Sequence, residues 1–384
     1  MELIEKHVAK INQDIGWNYS LTSISTFITT QRNNIMLKFR LWILWILVAV
    51  MTGCSDDETV VADNSSTQDR KVSLLLSVGG LGDNGYNDCI AQGVMRFTKS
   101  TNTDLSLLSP DDADEARNMF SAWIDRDGLR DSSVLIVDNT YEALIPDDMT
   151  GKLGKSSRIL VVDGMSETYP AGVSSVRICR YGASYLAGAM SQEFDAIVMM
   201  AMPGFPILEE AKNGFLHGYG KYKKEGVGSK VVYLADDASG FAMPEKAHHL
   251  LSEIASDQMI FPLMGGSVVG VVNYLNSDIF ALPLLIGMDS DMAGMSSRIP
   301  FSLTVHIDRI LNSYLDNWIK GEDWDKVNTY GLHNGGMEIV VCEDFRKYLN
   351  IWDDRYDGDE FENYKSIYIQ EAEAMENDYL KKQK

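Results

Sequence analysis

The chain has 384 residues and a formal net charge of −21 at pH 7, with 55 acidic against 34 basic side chains. A surface of this sign repels phosphate groups, so the charge argues against nucleic acid as a partner. The length suffices for two domains of ordinary size. The four cysteines form no Cys-x-x-Cys pair, which argues against a metal cage, and we expect neither a metal nor a cofactor.

Residues 36–53 form a basic and then apolar segment that is typical of an export signal. Lys38 and Arg40 supply the positive charge, and the uncharged run 41–51 follows them. This run is much shorter than the roughly 20 residues that a membrane-spanning helix needs. The sequence therefore predicts a cleaved signal peptide that starts at Met36, with residues 1–35 upstream of the true start.

Gly53 and Cys54 end this segment. A small residue before cysteine resembles a bacterial lipobox, in which the cysteine becomes the acylated N-terminus of the mature chain. We therefore predict that Cys54 is lipidated and anchors the protein to a membrane. The alternatives are a secreted protein with an incidental cysteine and a short membrane anchor.

Residues 54–70 are acidic and polar, which predicts a flexible tether. The run Asp56-Asp57-Glu58 also resembles the acidic tag that sends some Gram-negative lipoproteins to the outer face of the outer membrane. We therefore expect the protein in the cell envelope, anchored by lipid to the outer membrane and exposed at the surface if the acidic run acts as that tag.

Eight short apolar runs follow and alternate with amphipathic stretches. Near-continuous apolarity is typical of parallel strands that are covered on both faces, so the stretches between them are predicted to be covering helices. This alternation predicts an α/β fold with open, doubly wound sheets. The runs are 72–78, 105–108, 134–137, 159–162, 197–202, 231–234, 259–263 and 282–286.

Eight strands exceed what one sheet of ordinary size holds, so we predict two lobes. The segments 173–179 and 301–308 are the predicted crossovers between them. Residues 71–175 and about 303–342 are assigned to the N-terminal lobe, and residues 176–302 to the C-terminal lobe. Residues 343–384 are predicted to be an acidic helical tail, which either packs on a lobe or binds another protein.

Polar residues recur where the predicted strands end, and ligands of open α/β sheets bind at the carboxyl ends of strands. Asp83, Asn84, Tyr86 and Asn87 follow the first strand, in a glycine-rich loop that does not fit the dinucleotide-binding pattern. Carboxylates at strand ends accept hydrogen bonds from a vicinal diol, but they also cap helices or bind Ca²⁺. Other strand-end polar residues are Asp138, Asp163, Asp236, Asp237, Asp289 and Asp291.

Six motifs, taken in order, resemble the basic membrane protein family, the purine-nucleoside-receptor-like lipoproteins that serve as substrate-binding subunits of transport systems. The resemblance spans most of residues 71–340 and implies a two-lobed type I periplasmic binding protein fold, with a mostly parallel sheet and flanking helices in each lobe. The motifs are GGLGDNGYN at 79–87, YGASYLAG at 181–188, NGFLHG at 213–218, MGGS at 264–267, GMDSD at 287–291 and YGLHNGG at 330–336.

The resemblance implies a nucleoside-like ligand between the lobes. Tyr86 and Phe241 would stack on its base, and Gly266 would let the backbone approach it. The lysine that contacts the ribose in this family falls at Val305 here, and His306 is the nearest substitute. The polar contacts implied in the same way are Asp83, Asn84, Asn87, Asp138 and Asp289.

The sequence therefore predicts a lipid-anchored substrate-binding protein rather than an enzyme, with a small-molecule ligand and a transporter subunit as partners. One alternative is a surface lipoprotein with a degenerate cleft that acts through contacts with other proteins. The other is a hydrolase that uses strand-end carboxylates as acid and base, although no nucleophile elbow, zinc helix or phosphate loop is present.

Overall fold

The structure, a computed structural model, describes residues 70–77, 80–82, 85–253, 258–277, 283–342, 345 and 358–383. These residues belong to one compact unit that spans Ser66–Lys384. The predicted signal peptide, Cys54 and nearly all of the predicted tether lie outside the described residues. Within the described part, no helix combines the length and the apolarity that crossing a membrane requires.

Thirteen strands lie in the described residues, and most of them alternate with helices. They are β1 (Lys71–Leu75), β2 (Asp104–Leu108), β3 (Ser133–Asp138), β4 (Arg158–Val162), β5 (Val173–Ile178), β6 (Asp195–Met200), β7 (Ser229–Tyr233), β8 (Gln258–Leu263), β9 (Leu284–Leu285), β10 (Gly287–Asp289), β11 (Phe301–Val305), β12 (Val327–Tyr330) and β13 (Met337–Val341).

Eight α-helices are formed by the same residues. They are α1 (Tyr86–Thr101), α2 (Ala113–Trp123), α3 (Tyr181–Met190), α4 (Pro206–Tyr222), α5 (Pro244–Glu253), α6 (Val268–Ser277), α7 (Ile307–Lys320) and α8 (Gly358–Gln383). Two of these helices begin at residues that favour a helix start: the side chain of Asp112 caps α2, and Pro206 is the first residue of α4.

The first sheet has six parallel strands in the order β12-β5-β4-β3-β1-β2. Every residue of the central strand β3 is buried, as expected for a strand that is covered by helices on both faces. Because all six strands run in the same direction, their carboxyl ends lie along one edge, where the loops gather.

The second group of strands forms two short sheets, β7-β6-β8-β9 and β10-β11-β13. Only Ile286 separates β9 from β10, and its N–H donates to the carbonyl oxygen of Ile260 in β8 (2.9 Å). The two sheets are therefore continuous along this strand, and we call them together the second sheet. All its pairs are parallel except β11 with β13.

The eight predicted apolar runs all coincide with strands, which confirms the α/β fold with parallel sheets. The two segments predicted as crossovers contain strands of their own, β5 and β11. Both strands carry serine or threonine between apolar residues and therefore lack the continuous apolar run on which the prediction relied.

The chain passes between the sheets three times. It leaves the first sheet after β5, through Cys179 and Arg180, and enters α3, which packs on α4. It returns at His306, between β11 and α7, and α7 packs on α1. It crosses again through residues 331–336, between β12 and β13. We call these segments the first, second and third crossover.

The strand pairing differs from the predicted division at residues 303–342. Of this stretch, β12 pairs with β5 in the first sheet, whereas the end of β11 and all of β13 belong to the second sheet. The sequence predicted two crossovers, so the whole segment was assigned to a single lobe. The structure has a third crossover, which returns the chain to the second sheet.

The described part of the tail is the long helix α8, which packs along α3. Phe361 anchors its first turns and is buried against the rings of Phe301 (5.4 Å between centroids) and Phe345 (5.8 Å). The tail therefore covers apolar surface of the second sheet.

Candidate functional site

A hydrogen-bonded polar group lies at the carboxyl ends of β1 and β3. The Ser77 hydroxyl contacts both Asn87 Oδ1 (3.2 Å) and Asp138 Oδ2. The Thr140 N–H donates to Asp138 Oδ1 (3.0 Å), and the Thr140 hydroxyl bonds the same oxygen. Burial raises the pKa of Asp138, although these hydrogen bonds partly oppose the rise. Ser77, Asn87 and Asp138 are thereby held in one arrangement, and they line a small pocket together with apolar residues of β1 and β3.

A buried guanidinium extends this group towards the second sheet. Arg180 donates from Nη1 to Asp163 Oδ1 (3.1 Å) and from Nη2 to Asp163 Oδ2 (2.9 Å), a bidentate pair. The N–H of Ile178 also donates to Asp163 Oδ1 (3.0 Å). On the other side, Arg180 Nη2 lies 3.7 Å from Asp289 Oδ1. Arg180, on the first crossover, therefore links a carboxylate of the first sheet to one of the second.

The charges in this group support one another. Burial by itself would lower the pKa of the Arg180 guanidinium, but the carboxylates of Asp163 and Asp289 more than offset burial and raise it above its ordinary value. Arg180 therefore stays charged and keeps the two carboxylates close together.

Tyr86 begins α1 and places its ring beside Arg180, whose Cζ lies 6.0 Å from the ring centroid. Among the described residues, its buried hydroxyl has no hydrogen-bond partner. Burial raises the pKa of Tyr86 well above its ordinary value, and the carboxylates of Asp163 and Asp138 raise it further. The hydroxyl therefore keeps its proton and can donate a hydrogen bond.

Asp289 ends β10 and has a positive φ of 63°. Its carbonyl oxygen lies 4.0 Å from the Cys89 sulfur on α1. The first turns of α1 and the end of β10 are therefore in contact. Tyr86, Asn87, Asp138 and Asp289, four of the residues predicted from the sequence, lie around Arg180 and Asp163.

Phe241 and Gly266 lie in two adjoining loops of the second sheet. The ring of Phe241 meets that of Phe205 edge to face, at 5.8 Å between centroids, and lies against Gly265. Ser267 joins the two loops by donating to the carbonyl oxygen of Gly240 (2.8 Å). Phe241 and Gly266 are therefore held close to each other on the second sheet.

His306 is held on the second crossover. Its Nε2 lies 3.0 Å from Glu338 Oε1 on β13, and its N–H donates to the carbonyl oxygen of Gly336 (3.0 Å). The neighbouring Val305 is buried. The imidazole thus contacts β13, and the backbone of His306 contacts the third crossover.

Asp83 and Asn84 lie outside the described residues, as does Cys54. Arg180 was missed as a site residue, and Asp163 was noted only as one of several strand-end carboxylates. The available signal was the charged residue directly after the apolar pair Ile178-Cys179, because such a position at a strand end is buried only with a partner. In the described part, no group of His, Cys, Asp and Glu side chains is arranged to hold a metal ion.

Comparison with solved structures gives the same architecture. A solute-binding protein of an ABC transporter system from Aeropyrum pernix K1 superimposes with a TM-score of 0.62 at 17% identity, over 79% of this chain and 90% of that chain. A periplasmic solute-binding protein from Actinobacillus succinogenes 130z with bound D-allose has a TM-score of 0.56 at 14% identity, over 73% and 100%. These similarities show the fold, which is that of type I periplasmic binding proteins.

The fold is shared beyond transport. A transcriptional activator of the comK gene from Bacillus halodurans has a TM-score of 0.54 at 16% identity, over 78% of this chain and 98% of that chain. Fold alone therefore leaves the function open. No curated protein sequence is significantly similar to this chain.

The sequence match to a family is more specific. The family described as "Bmp: ABC transporter substrate-binding protein PnrA-like" matches residues 70–378, from β1 almost to the end of α8. Its members are substrate-binding proteins rather than enzymes, and they work outside the cytoplasm in association with the cell envelope. The chain belongs to the Bmp family and is a PnrA-like substrate-binding protein of the ABC transporter type.

Proposed function

We propose that this protein is lipid-anchored through Cys54 and captures a nucleoside or related small molecule between its two sheets for uptake. The polar group around Tyr86 carries the proposal. Tyr86 offers a buried hydroxyl that has no partner among the described residues, beside the carboxylates of Asp138 and Asp289. A group of this kind gains a hydrogen bond when a polar ligand arrives.

A nucleoside fits the chemistry of this group. An aromatic ring stacks on a base with roughly 1 to 3 kcal/mol per stack, by analogy with single-stranded nucleic-acid sites. Carboxylates accept hydrogen bonds from the two hydroxyls of a ribose. Asp83, Asn84, Asn87, Phe241, Gly266 and His306 complete the proposed ligand contacts, with the two sheets as the lobes that close on the ligand.

A thermal-shift screen of the full-length protein tests this function. The compounds are purine and pyrimidine nucleosides, nucleobases, D-ribose, D-allose and vitamins. A compound at 100 times its dissociation constant stabilises the folded state by about 2.7 kcal/mol, which raises the melting temperature by a few degrees. We expect one or more nucleosides to produce this shift.

Two variants locate the binding site. Tyr86→Phe removes only the hydroxyl, and Asp289→Asn keeps the shape of the side chain while removing its charge, so both should weaken the nucleoside-dependent shift. Tyr233→Phe removes a hydroxyl from an exposed tyrosine of β7 and should leave the shift unchanged. A shift that all three variants retain would place the binding site elsewhere.

One observation favours the second candidate, a surface lipoprotein that acts through protein contacts. Arg180 already bonds Asp163, approaches Asp289 and lies beside the Tyr86 ring, so protein groups satisfy part of the ligand chemistry. This candidate predicts no shift with any compound from a protein that still unfolds cooperatively. A nucleoside shift that is lost in Tyr86→Phe would exclude it.

A further inference from the structure

The C-terminal helix α8 carries a carboxylate that is completely buried. Glu376 has no exposed surface and lies on the face of α8 that packs on α3. An ionised carboxylate at such a depth is costly unless several donors surround it. The source of its donors therefore indicates what this side chain holds in place.

Both oxygens of Glu376 accept hydrogen bonds from backbone N–H groups of different chain segments. Oε2 accepts from Gly182 (3.1 Å) and from Leu332 (3.2 Å). Oε1 accepts from the N–H of His333 (3.0 Å) and lies 2.6 Å from His333 Nδ1. Gly182 lies in the first turn of α3, two residues beyond Arg180, whereas Leu332 and His333 lie on the third crossover. One side chain therefore joins the exit of the first crossover to the third.

Two glycines make room for this carboxylate. A Cβ on Gly182 would lie 2.5 Å from Glu376 Oε2, and a Cβ on Gly331 would lie 2.5 Å from Oε1. Gly331 has extended backbone (φ −171°), which any residue adopts, and Gly182 is helical, so neither position needs glycine for its backbone conformation. At both positions, the three atoms nearest to the added Cβ all belong to Glu376.

The rest of α8 is fixed to the same side of the molecule. The ring of Tyr379 stacks on Tyr181, the residue after Arg180, at 4.3 Å between centroids and 6° between planes. Five residues before Glu376, Glu371 accepts hydrogen bonds from the hydroxyls of Tyr185 on α3 and Tyr222 on α4. Glu376 therefore projects from a helix that is itself firmly attached to α3 and α4.

The first crossover is held from a second direction as well. The N–H of Arg180 donates to Glu210 Oε1 (2.7 Å), a buried carboxylate of α4. Glu210 and Glu376 thus fix the backbone on both sides of Tyr181. The position of the Arg180 guanidinium between Asp163 and Asp289 depends on this stretch of backbone.

We propose that Glu376 is a positioning residue for ligand capture, because it braces the first and third crossovers against each other and so sets how far the two sheets open. A brace of this kind acts on hinge motion, in which a few residues between rigid bodies absorb the change in dihedral angles. The role of Glu376 in ligand capture rests on the proposed function. The brace itself does not, because it is tested in the ligand-free protein.

The test measures the distance between the sheets in the ligand-free, full-length protein by double electron–electron resonance. Nitroxide labels are placed by Lys99→Cys at the end of α1 and Lys230→Cys in β7, where both native side chains are exposed. Cys54 and Cys89 are replaced by serine, and the buried Cys179 and Cys342 remain. We expect one narrow distance distribution when Glu376 is intact.

Glu376→Gln is the main variant, since it preserves size and changes one oxygen into an N–H₂ group. Oε2 faces two backbone N–H donors, and Oε1 faces one backbone N–H donor and His333 Nδ1. In either orientation, the new amide group therefore points its hydrogens at one or more backbone N–H donors. Buried donors without an acceptor cost enough to raise the population of longer distances about tenfold. Asp378→Asn, which removes an exposed charge from the same helix, should leave the distribution unchanged.

Gly331→Ala tests the brace without altering Glu376. Its methyl group would displace the carboxylate, so the distribution should broaden as in Glu376→Gln. In a protein that also carries Glu376→Ala, the methyl group has room, and Gly331→Ala should cause no additional change. A purely structural role would lower the melting temperature of these variants and keep the distance distribution narrow, and that result would overturn the proposal. Gly331→Ala and Glu376→Gln disturb the brace independently. If one of them fails to fold, the distance distribution of the other still tests the proposal.

Discussion

At the scale of single residues, Arg180 places a buried positive charge between a carboxylate of the first sheet and a carboxylate of the second. Arg180 is 5% exposed, and its guanidinium is bonded to Asp163, which is 2% exposed. A buried pair of this kind contributes little compared with two apolar residues, but the loss of one partner leaves the other charged and buried. The cost of removing Arg180 should therefore greatly exceed that of removing an exposed arginine.

We predict that Arg180→Ala lowers the free energy of unfolding by about 3 to 5 kcal/mol, because the Asp163 carboxylate loses its bidentate partner. Arg117→Ala is the matched control, since Arg117 pairs with Asp114 at 2.9 Å on the exposed face of α2 and should change stability by less than about 1 kcal/mol. Urea unfolding at pH 7 measures both. Equal, small effects would mean that Asp163 finds another partner or a proton.

Asp138 gives a prediction for pH dependence. Its pKa is raised in the folded protein by burial, so between the ordinary value near 3.8 and the folded value the native state binds more protons than the unfolded chain. This group therefore makes the free energy of unfolding fall as the pH rises through that window. Asp138→Asn removes the effect, so the stability of the variant relative to the native protein should increase with pH.

Glu142 provides the contrasting control. Burial would raise its pKa, but hydrogen bonds from the backbone N–H of Met165 and from Tyr169 and Ser166 hold it below the ordinary value. The stability that it contributes is present above pH 4.5 and is lost as the pH falls through the folded pKa. The stability of Glu142→Gln relative to the native protein should therefore decrease with rising pH. Urea unfolding at several pH values from 3 to 7 measures the free energy of unfolding of both variants relative to the native protein. If both differences changed with pH in the same direction, one of the two pKa shifts would be wrongly assigned.

Four residues of the polar group around Arg180 could be predicted from the sequence, whereas Arg180 itself could not. Tyr86, Asn87, Asp138 and Asp289 were singled out because they follow apolar runs, and parallel strands bring such positions to one edge. Arg180 was not predicted as a site residue because it follows β5, a strand that was interpreted as a crossover. A cation whose partners are 17 and 109 positions away in sequence is recognisable only when the pairing of the strands is known.

At the scale of elements, α3 and α4 approach so closely that glycines form their contact. A Cβ on Gly188 would overlap the carbonyl oxygen of Phe215, and a Cβ on Gly218 would overlap that of Tyr185. Backbone atoms cannot move aside as the end of a flexible side chain does. The two helices therefore cannot keep their separation if either glycine gains a side chain.

We predict that Gly188→Ala lowers the free energy of unfolding by about 1 to 3 kcal/mol through overpacking. Gly220→Ala, in the last turns of α4, meets no atom within 4 Å and should stabilise the protein by about 0.4 to 1 kcal/mol, because alanine restricts the unfolded chain. Thermal or urea unfolding compares the two. A gain of stability in both variants would show that helix propensity and not the helix contact governs these positions.

Strands were predictable to the extent that their residues are continuously apolar. β3 and β8 are buried on both faces, and their sequences show it. β12 has four half-buried residues at the edge of the first sheet, so its sequence, Val-Asn-Thr-Tyr, has no such pattern. The third crossover follows β12 directly, which explains why the return of the chain to the second sheet was not predicted.

At the scale of the whole molecule, the three crossovers and α8 bring residues from both halves of the sequence to one place. The polar group around Arg180 draws on β1, β3, β4 and β10, and the Glu376 brace lies on the other side of the first crossover. Opening and closing would move the two groups together, because only Tyr181 separates Arg180 from Gly182. Removal of α8 should therefore disturb the binding site although α8 contributes no proposed ligand contact.

The proposed lipid anchor at Cys54 would determine where this molecule works. Two acyl chains on Cys54 would bury enough methylene groups, at about 0.8 kcal/mol each, for stable attachment to a membrane. We predict that the full-length protein produced in a Gram-negative host fractionates with membranes and incorporates labelled palmitate, and that Cys54→Ser becomes soluble and unlabelled. Cys89→Ser, which removes a thiol on α1 and keeps Cys54, should behave as the native protein does.

The same experiment tests the start of the chain. Translation from Met36 alone should produce a lipidated protein with the same mature mass as translation from Met1, because cleavage before Cys54 removes all that precedes it. Intact-mass spectrometry of the purified protein measures this directly. An N-terminus other than acylated Cys54, or equal membrane binding by native protein and Cys54→Ser, would mean that the chain reaches the envelope without a lipid and that its transporter must hold it by protein contacts.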